Sequence, residues 1–390
     1  MAKKIKLIFL INEISDGGAE TLVKDYALHL DRDIYDIFIV TEIESDVNSA
    51  NYRTLRKKGV KIFCPFFNFE KKSTNAIPIY VQNIIHTHIP KKIIDVYKKW
   101  YIKHIILRLK PNIIHSHMTV LKYLVPCKKN LKGIKLFYTC HSLPRRYFNS
   151  NECKEELEAA SFLIKNHSLM LIGLHSEMQN ELNAMFNINN TIIIHNGIDL
   201  EKFHNVRNCK EKKQIRNNLH IPENAFVLGH IGRFIWIKNQ SFIVDVFLEI
   251  IKRKSNSFLL LIGNGDSSET VKKLSSYGLD GKYSILSNRQ DIPELLLCMD
   301  AFIFPSFFEG FPLACIEAQA MGLKCFISDS VTKDVFFNSK AIPISLKKTS
   351  QSWANAILDN EIQGPYHNDI NNFDLTMIVN QLGTLYGHKT

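Results

Sequence analysis

The sequence predicts an α/β protein made of two doubly wound units of parallel sheet. Three observations lead there. Apolar runs of strand length alternate with helical patterns from end to end, the signature of repeated βα units. The first run, residues 5–11, is apolar almost without interruption, as a central strand buried on both faces should be. The alternation then restarts after a polar stretch, 201–224, that carries little apolar signal.

The elements follow in order. After the strand at 5–11, Gly17-Gly18 opens a helix from 19 to about 30. Further strands are expected at 37–41, 60–63, 113–115, 136–140, 169–172 and 191–194, with helices between most of them. A long basic helix fills roughly 77–110, with Pro90 as its breaking point. His195-Asn196-Gly197-Ile198-Asp199 reads as a turn after a strand and marks the seam. The second unit then has strands at 226–230, 258–262, 283–286, 301–304 and 324–328, and a helix at 240–254. We therefore expect an N-terminal domain over 1–198 and a C-terminal domain over 199–369. The helical tail, 370–390, is expected to pack back on the first domain. Two such units would enclose a cleft at the carboxyl ends of their strands, where ligands bind in such sheets.

Composition narrows the class. The chain has 390 residues, 45% of them hydrophobic, enough for two or three domains with sizeable cores. Its eight cysteines form no C-x-x-C pair, which suits reduced cysteines in a cytosolic protein rather than a disulfide frame or a zinc site. Met1-Ala2-Lys3-Lys4 runs straight into a strand, so no signal peptide is expected, and no apolar run approaches membrane-spanning length. Charge is uneven. Residues 50–150 hold 21 Lys and Arg against two acids, Glu70 and Asp95, a net +19. Such a patch attracts an anionic membrane leaflet or nucleic acid; the plainer alternative is a lysine-rich solvated face. Tyr97, Trp100 and Tyr101 interleave Lys98, Lys99 and Lys103, which suits a bilayer interface or single-stranded nucleic acid.

The most informative chemistry lies at Glu309-Gly310-Phe311-Pro312-Leu313 followed by Glu317. Pro312 suits the first turn of a helix and Gly322 its stop, so Glu309 sits on the entering loop and Glu317 inside the helix. Eight residues of helical rise separate the two acids by at most about 12 Å, the scale of a sugar diphosphate. Phosphates would sit on the amides near 311–313 and hydroxyls on the carboxylates. The alternative is an amphipathic helix with two surface acids. Arg233, after Gly232, and Lys238 follow another strand and could neutralise a leaving diphosphate, or form an ordinary surface pair. Gly263-Asn264-Gly265 has Ser268 where a dinucleotide loop needs its third glycine, so it reads only as backbone near a nucleotide. Gly17-Gly18 is either an anion-approaching loop or an ordinary βα turn. His115, His117 and His141 end strands, but no third ligand has metal spacing. His141 is the better candidate for touching a transferred sugar, against the reading of a structural histidine. Arg145-Arg146 could meet an anionic acceptor. Asp31-x-Asp33 reads as turn chemistry.

Together, Gly17-Gly18-Ala19-Glu20, Asn196-Gly197-Ile198-Asp199, Gly232-Arg233 with Lys238, Gly263-x-Gly265, Asp291, and Ser306-x-x-Glu309-Gly310-Phe311-Pro312 through Glu317-Ala318 resemble the glycosyltransferases of family 4. That resemblance implies the GT-B fold, two Rossmann-like domains facing each other across a cleft, and retention of anomeric configuration. Residues 316–320, with Ser328-Asp329 and Thr332-Lys333, look like the branch that builds bacterial capsule and exopolysaccharide. By the same resemblance Glu317 would bind the ribose hydroxyls and Glu309 the donor sugar. Arg233 and Lys238 would hold the diphosphate, and backbone around Arg289, Asp291 and Ile292 would flank the base. Gly18, Gly263, Asn264, Gly310, Phe311, Pro312 and Leu313 complete the nucleotide-sugar set, with His141 among the catalytic groups. Two departures stand out: Ser287 where the family often has glycine, and Asn264 where it often has an acid.

The expected reaction is metal-independent sugar transfer, with no cofactor, from a nucleoside-diphosphate sugar, UDP-linked first. The acceptor would be a membrane-bound glycolipid or growing polysaccharide, reached at the inner face of the cell membrane through the basic region. Two rivals remain. A sugar-nucleotide epimerase of the same fold would release a free altered sugar. A nucleic-acid-binding protein using residues 50–150 would leave Glu309 and Glu317 without a role.

Overall fold

A computed structural model describes residues 3–65, 90–150, 153–209, 211–359, 364 and 369–387. The chain divides into two compact units, Met1–Ile194 with Val379–Thr390, and His195–Ile378.

The first unit is built on seven parallel strands: β1 (Ile5–Ile11), β2 (Tyr35–Thr41), β3 (Lys61–Phe63), β4 (Ile113–His117), β5 (Lys135–Thr139), β6 (Met170–Gly173) and β7 (Ile192–Ile193). Their order is β3-β2-β1-β4-β5-β6-β7. β1 lies in the middle, and Leu7 through Ile11 are essentially inaccessible, which is why that run is apolar without alternation. β4 runs two residues past the expected end at His115. Its polar His115, Ser116 and His117 are fully buried, so the apolar pattern stops before the strand does. His115 tolerates burial because both ring nitrogens are bonded, one to Tyr386 Oη at 2.6 Å and one to Thr139 Oγ1 at 2.8 Å. Tyr386 closes the tail helix Leu375–Leu385, and its carbonyl also accepts from Lys135 Nζ at 3.0 Å. Pro90 is the N-cap of the basic helix Lys91–Leu109; the expected helical stretch at 77–89 lies outside the described residues.

The second unit is a six-stranded parallel sheet, β8 (Phe226–Ile231), β9 (Ser257–Ile262), β10 (Tyr283–Leu286), β11 (Ala301–Phe304), β12 (Lys324–Ser328) and β13 (Ala341–Ile344). The order is β10-β9-β8-β11-β12-β13. The helix Gln240–Arg253 buries Ile243, Val244, Val246, Phe247 and Ile250 against Leu228, Leu259 and Trp353. β13 escapes sequence reading because Pro343 interrupts it. Proline cannot donate to a ladder, and β13 is the edge strand, where that donor is not needed.

Candidate active site

The loops that matter leave the carboxyl ends of four adjacent strands of the second unit, β10, β9, β8 and β11. β8 and β11 are neighbours whose onward connections run to opposite sides, to β9 and to β12. Loops diverge at such a switch point and leave a crevice. Lys238, after β8, and Glu309, after β11, meet across it. Lys238 Nζ donates to Glu309 Oε1 at 2.6 Å, with side chains only 17% and 13% exposed. The two loops are tied by backbone as well: the Phe307 N–H donates to the Ile237 carbonyl at 2.9 Å, and Asn239 Nδ2 to the Pro305 carbonyl at 3.3 Å. Asn239 takes a left-handed conformation, φ 57°, which ends the short turn Trp236–Lys238 and starts the next helix. Arg233 is exposed beside them, and its guanidinium makes no ion pair among the described residues.

His230 lies behind the pair. Its Nδ1 bonds to the Ile303 carbonyl at 2.9 Å, so that nitrogen is the donor and Nε2 is left as a buried acceptor without a partner among the described residues. Burial pushes its pKa down to about 3 against the backbone bond, so the ring is neutral. Nothing in the sequence pattern singles out His230. It reads as one residue of an apolar strand.

Backbone packing accounts for glycine at several of these positions. A Cβ on Gly263 would lie 2.0 Å from the Gly232 carbonyl oxygen, and one on Gly265 would lie 2.9 Å from the Phe234 oxygen. The Phe234 N–H bonds to the Asn264 carbonyl at 2.7 Å. The β8–β9 ladder thus continues past both strands, and glycine is required for loop-to-loop contact. A Cβ on Gly232 would approach Lys238 Cδ at 3.2 Å, so that glycine leaves room for the lysine stem. Asn264 Oδ1 accepts from the Asn288 N–H at 2.8 Å, with Asn288 at φ 54°. The two departures in this region therefore answer each other: Asn288 makes the left-handed turn beside Ser287, and Asn264 holds it. Arg289 Nε donates to Asp291 Oδ1 at 2.8 Å, and a second guanidinium N–H bonds the other carboxylate oxygen. This hydrogen bond holds the Asp291 carboxyl below its usual range. Both side chains line a hollow of about 220 Å³ with Gln214 and Asn218.

Glu309 lies on the entering loop, and Glu317 lies within the helix Leu313–Ala320, partly exposed. Pro312 is the N-cap and supplies no side-chain cap bond, while its carbonyl accepts from the Cys315 N–H at 3.1 Å. Gly322, at φ 78°, follows the helix end. The Phe311 ring is buried, 5.3 Å from His195 and 5.9 Å from Phe373 between centroids. Its ring is a packing anchor. Sequence reading missed an aromatic shelf. Trp236 is exposed, 5.7 Å from Phe307 and 5.6 Å from Phe308, on the same two loops that carry Lys238 and Glu309.

Gly18 and His141 belong to the first unit. Gly18 is open, with nothing near its absent Cβ, whereas the Glu20 carboxylate fills the space beside Gly17. His141 Nε2 bonds His117 Nδ1 at 2.9 Å. Burial pushes His141 down to about 4 and His117 further, so this pair is neutral. Among the described residues no group of three His, Cys, Asp or Glu could hold a metal ion.

The sequence model described as Glycosyltransferase Family 4 matches residues 16–202, and the one described as Glycosyl transferases group 1 matches residues 211–369. The putative glycosyltransferase EpsF of Bacillus subtilis is 28% identical over 63% of this chain and 64% of its own length. The UDP-Gal:alpha-D-GlcNAc-diphosphoundecaprenol alpha-1,3-galactosyltransferase of Escherichia coli is 26% identical over 65% of each. The chain thus spans just under two thirds of these two relatives. The capsular polysaccharide biosynthesis glycosyltransferase CapH of Staphylococcus aureus is 25% identical over 99% of both chains. The solved structure of Anabaena HepE with UDP-glucose aligns with a TM-score of 0.73 at 18% identity, over 98% of this chain and 99% of that one, and shares its fold. One family model falls on each unit, on the parallel sheets and in the order of the GT-B class, and the chain carries a glycosyltransferase family 4 domain followed by a glycosyl transferases group 1 domain.

Proposed function

We propose that this chain transfers a sugar from a nucleoside-diphosphate donor, UDP-linked, to a membrane-bound glycolipid or growing polysaccharide in capsule or exopolysaccharide synthesis. The observation that carries the reading is the Lys238–Glu309 pair at the β8–β11 switch point, beside Arg233 and a helix N-terminus with no side-chain cap bond. A diphosphate has more negative charge than Glu309, so it would draw Lys238 to itself and release the carboxylate. Glu309, an acceptor only, is then available to the hydroxyls of the donor sugar. Arg233 offers a two-pronged contact to phosphate oxygens, and the Leu313 helix end offers N–H groups. These charges are in place before the sugar–phosphate bond breaks, so they stabilise the leaving diphosphate without reorganisation. Glu317 is assigned to the ribose hydroxyls, and the Asn264-held loop to the base. Retention of configuration rests on family resemblance, and we assign no nucleophile.

Named relatives support the substrates: one is titled for a UDP-galactose donor and a diphosphoundecaprenol-linked acceptor, and the Anabaena structure holds UDP-glucose. The membrane-bound acceptor would be met at the inner leaflet, toward which the +19 charge of residues 50–150 is attracted. The test is a panel of UDP-, GDP- and ADP-sugars with donor consumption measured, alone and with polyprenyl-diphosphate-linked sugars. Transfer or slow hydrolysis of one donor supports the reading. Consumption of none refutes it, and release of an epimerised free sugar assigns the chain to the rival chemistry.

A further inference from the structure

The helix Lys91–Leu109 of the first unit has two apolar faces. One is buried and consists of Ile102, Ile105, Ile106 and Leu109. The other faces solvent: Ile93 is 58% exposed, Val96 60%, Trp100 59% and Leu107 41%. At about 100° per residue these four side chains fall within an arc of roughly 60°, a continuous stripe along the helix. The Trp100 ring is stacked 5.5 Å from His104, which lies on the same stripe. Lys92, Lys99, Lys103 and Lys110 fall together just beyond one edge, and Arg108 just beyond the other. Lys99 Nζ is held by Asp95 at 2.6 Å. Lys98 Nζ bonds Glu42 at 3.1 Å, and the Tyr97 hydroxyl bonds the Pro65 carbonyl. Of the three aromatic residues that the sequence places among these lysines, only Trp100 is mainly exposed.

We propose that this stripe inserts into the headgroup boundary of an anionic phospholipid bilayer, with Ile93, Val96, Trp100 and Leu107 in the acyl region and the flanking Lys92, Lys103 and Lys110 on the phosphates. The inference deepens the reading of a membrane-bound acceptor and rests on it. Charge decides the occupant. A helix with an apolar stripe, a tryptophan and a lysine edge fits an anionic interface. A second copy of this chain would bring one lysine edge against another on a region of net +19.

The experiment is vesicle co-sedimentation of the full chain at low and high salt, on phosphatidylglycerol-containing and pure phosphatidylcholine vesicles. The native chain is expected to prefer anionic vesicles and to keep part of its binding in high salt. The triple variant Ile93→Gln/Val96→Gln/Leu107→Gln keeps every charge. It is expected to lose that salt-resistant part, with partitioning about tenfold or more weaker. Lys92→Glu/Lys103→Glu is expected to weaken mainly the low-salt binding. Should the triple variant fold poorly, Trp100→Gln alone is expected to lower the salt-resistant part, and native Trp100 fluorescence is expected to be quenched by brominated lipid. Equal binding of native and stripe variants overturns the inference. So does a native dimer in lipid-free solution that the triple variant converts to monomer. Donor consumption separates the two readings: stripe variants should retain it, and a chain that binds vesicles through the stripe yet consumes no donor sinks the transferase proposal alone.

Discussion

Replacing Lys238 with alanine should lower turnover by about 10²- to 10³-fold. The size follows from the geometry. Lys238 is held 2.6 Å from a carboxylate at a site where both side chains are mostly buried, so its charge is fixed and weakly screened. A unit cation about 4 Å from a unit of developing negative charge, at an effective dielectric near 20, is worth about 4 kcal/mol, close to 10³ in rate. Exposure and a second cation, Arg233, bring the expectation toward the lower bound. The substitution also leaves Glu309 without its partner, at a cost in stability of about 1–3 kcal/mol. The double variant Lys238→Ala/Glu309→Gln separates the effects: it should recover most of the stability and none of the turnover. The assay is kcat and KM for donor consumption, alongside urea unfolding of each variant. Turnover of Lys238→Ala within about threefold of native, with every donor the native chain accepts, would refute the assignment.

Three other outcomes are expected. Gly263→Ala puts a methyl group 2.0 Å from the Gly232 oxygen and should destabilise by about 1–3 kcal/mol in urea unfolding, whereas Gly18→Ala meets nothing and should stay within about 0.5 kcal/mol. Asn264→Ala removes the acceptor for the Asn288 N–H and should raise donor KM severalfold with little change in kcat, consistent with about 1 kcal/mol. His115 and His230 are each held at about 3, below the ordinary 6.5, by burial. Below pH 6.5 the unfolded chain takes up protons that the fold refuses, so their contribution is fully present above that pH. Stability should therefore fall from pH 6.5 toward 4, by up to roughly 1.4 kcal/mol per pH unit for each ring. Urea midpoints at pH 7 and 5 check the direction.

Both parallel sheets are readable from the chain because strands buried on two faces must be largely apolar, and the expected spans of β1, β11 and β12 match to the residue. The strand ends are less readable. Ser116 and His117 extend β4 beyond its apolar pattern, and the buried histidines there are held by groups far along the chain, His115 by Tyr386 and His117 by His141, that no local pattern contains. The placement of Glu309 before a helix and Glu317 inside it follows from proline, glycine and helical rise alone. The contact between Lys238 and Glu309 does not, because the residues are 71 apart and only the order of the sheet makes β8 and β11 neighbours. The same sheet order brings Gly263 onto Gly232. Contact between the two loops is therefore enough by itself to require glycine at position 263.

That packing limits how the site can vary. Neither loop can gain a side chain at the point of contact, and a single inserted residue in either would pull the latch open and carry Lys238 away from its post. A preference for a new donor must therefore arise in the groups hung from the latch, such as Arg233, Trp236 and Asn264, while its backbone stays as it is. Randomising those three positions should yield chains with altered sugar choice, and randomising loop length should yield chains that unfold.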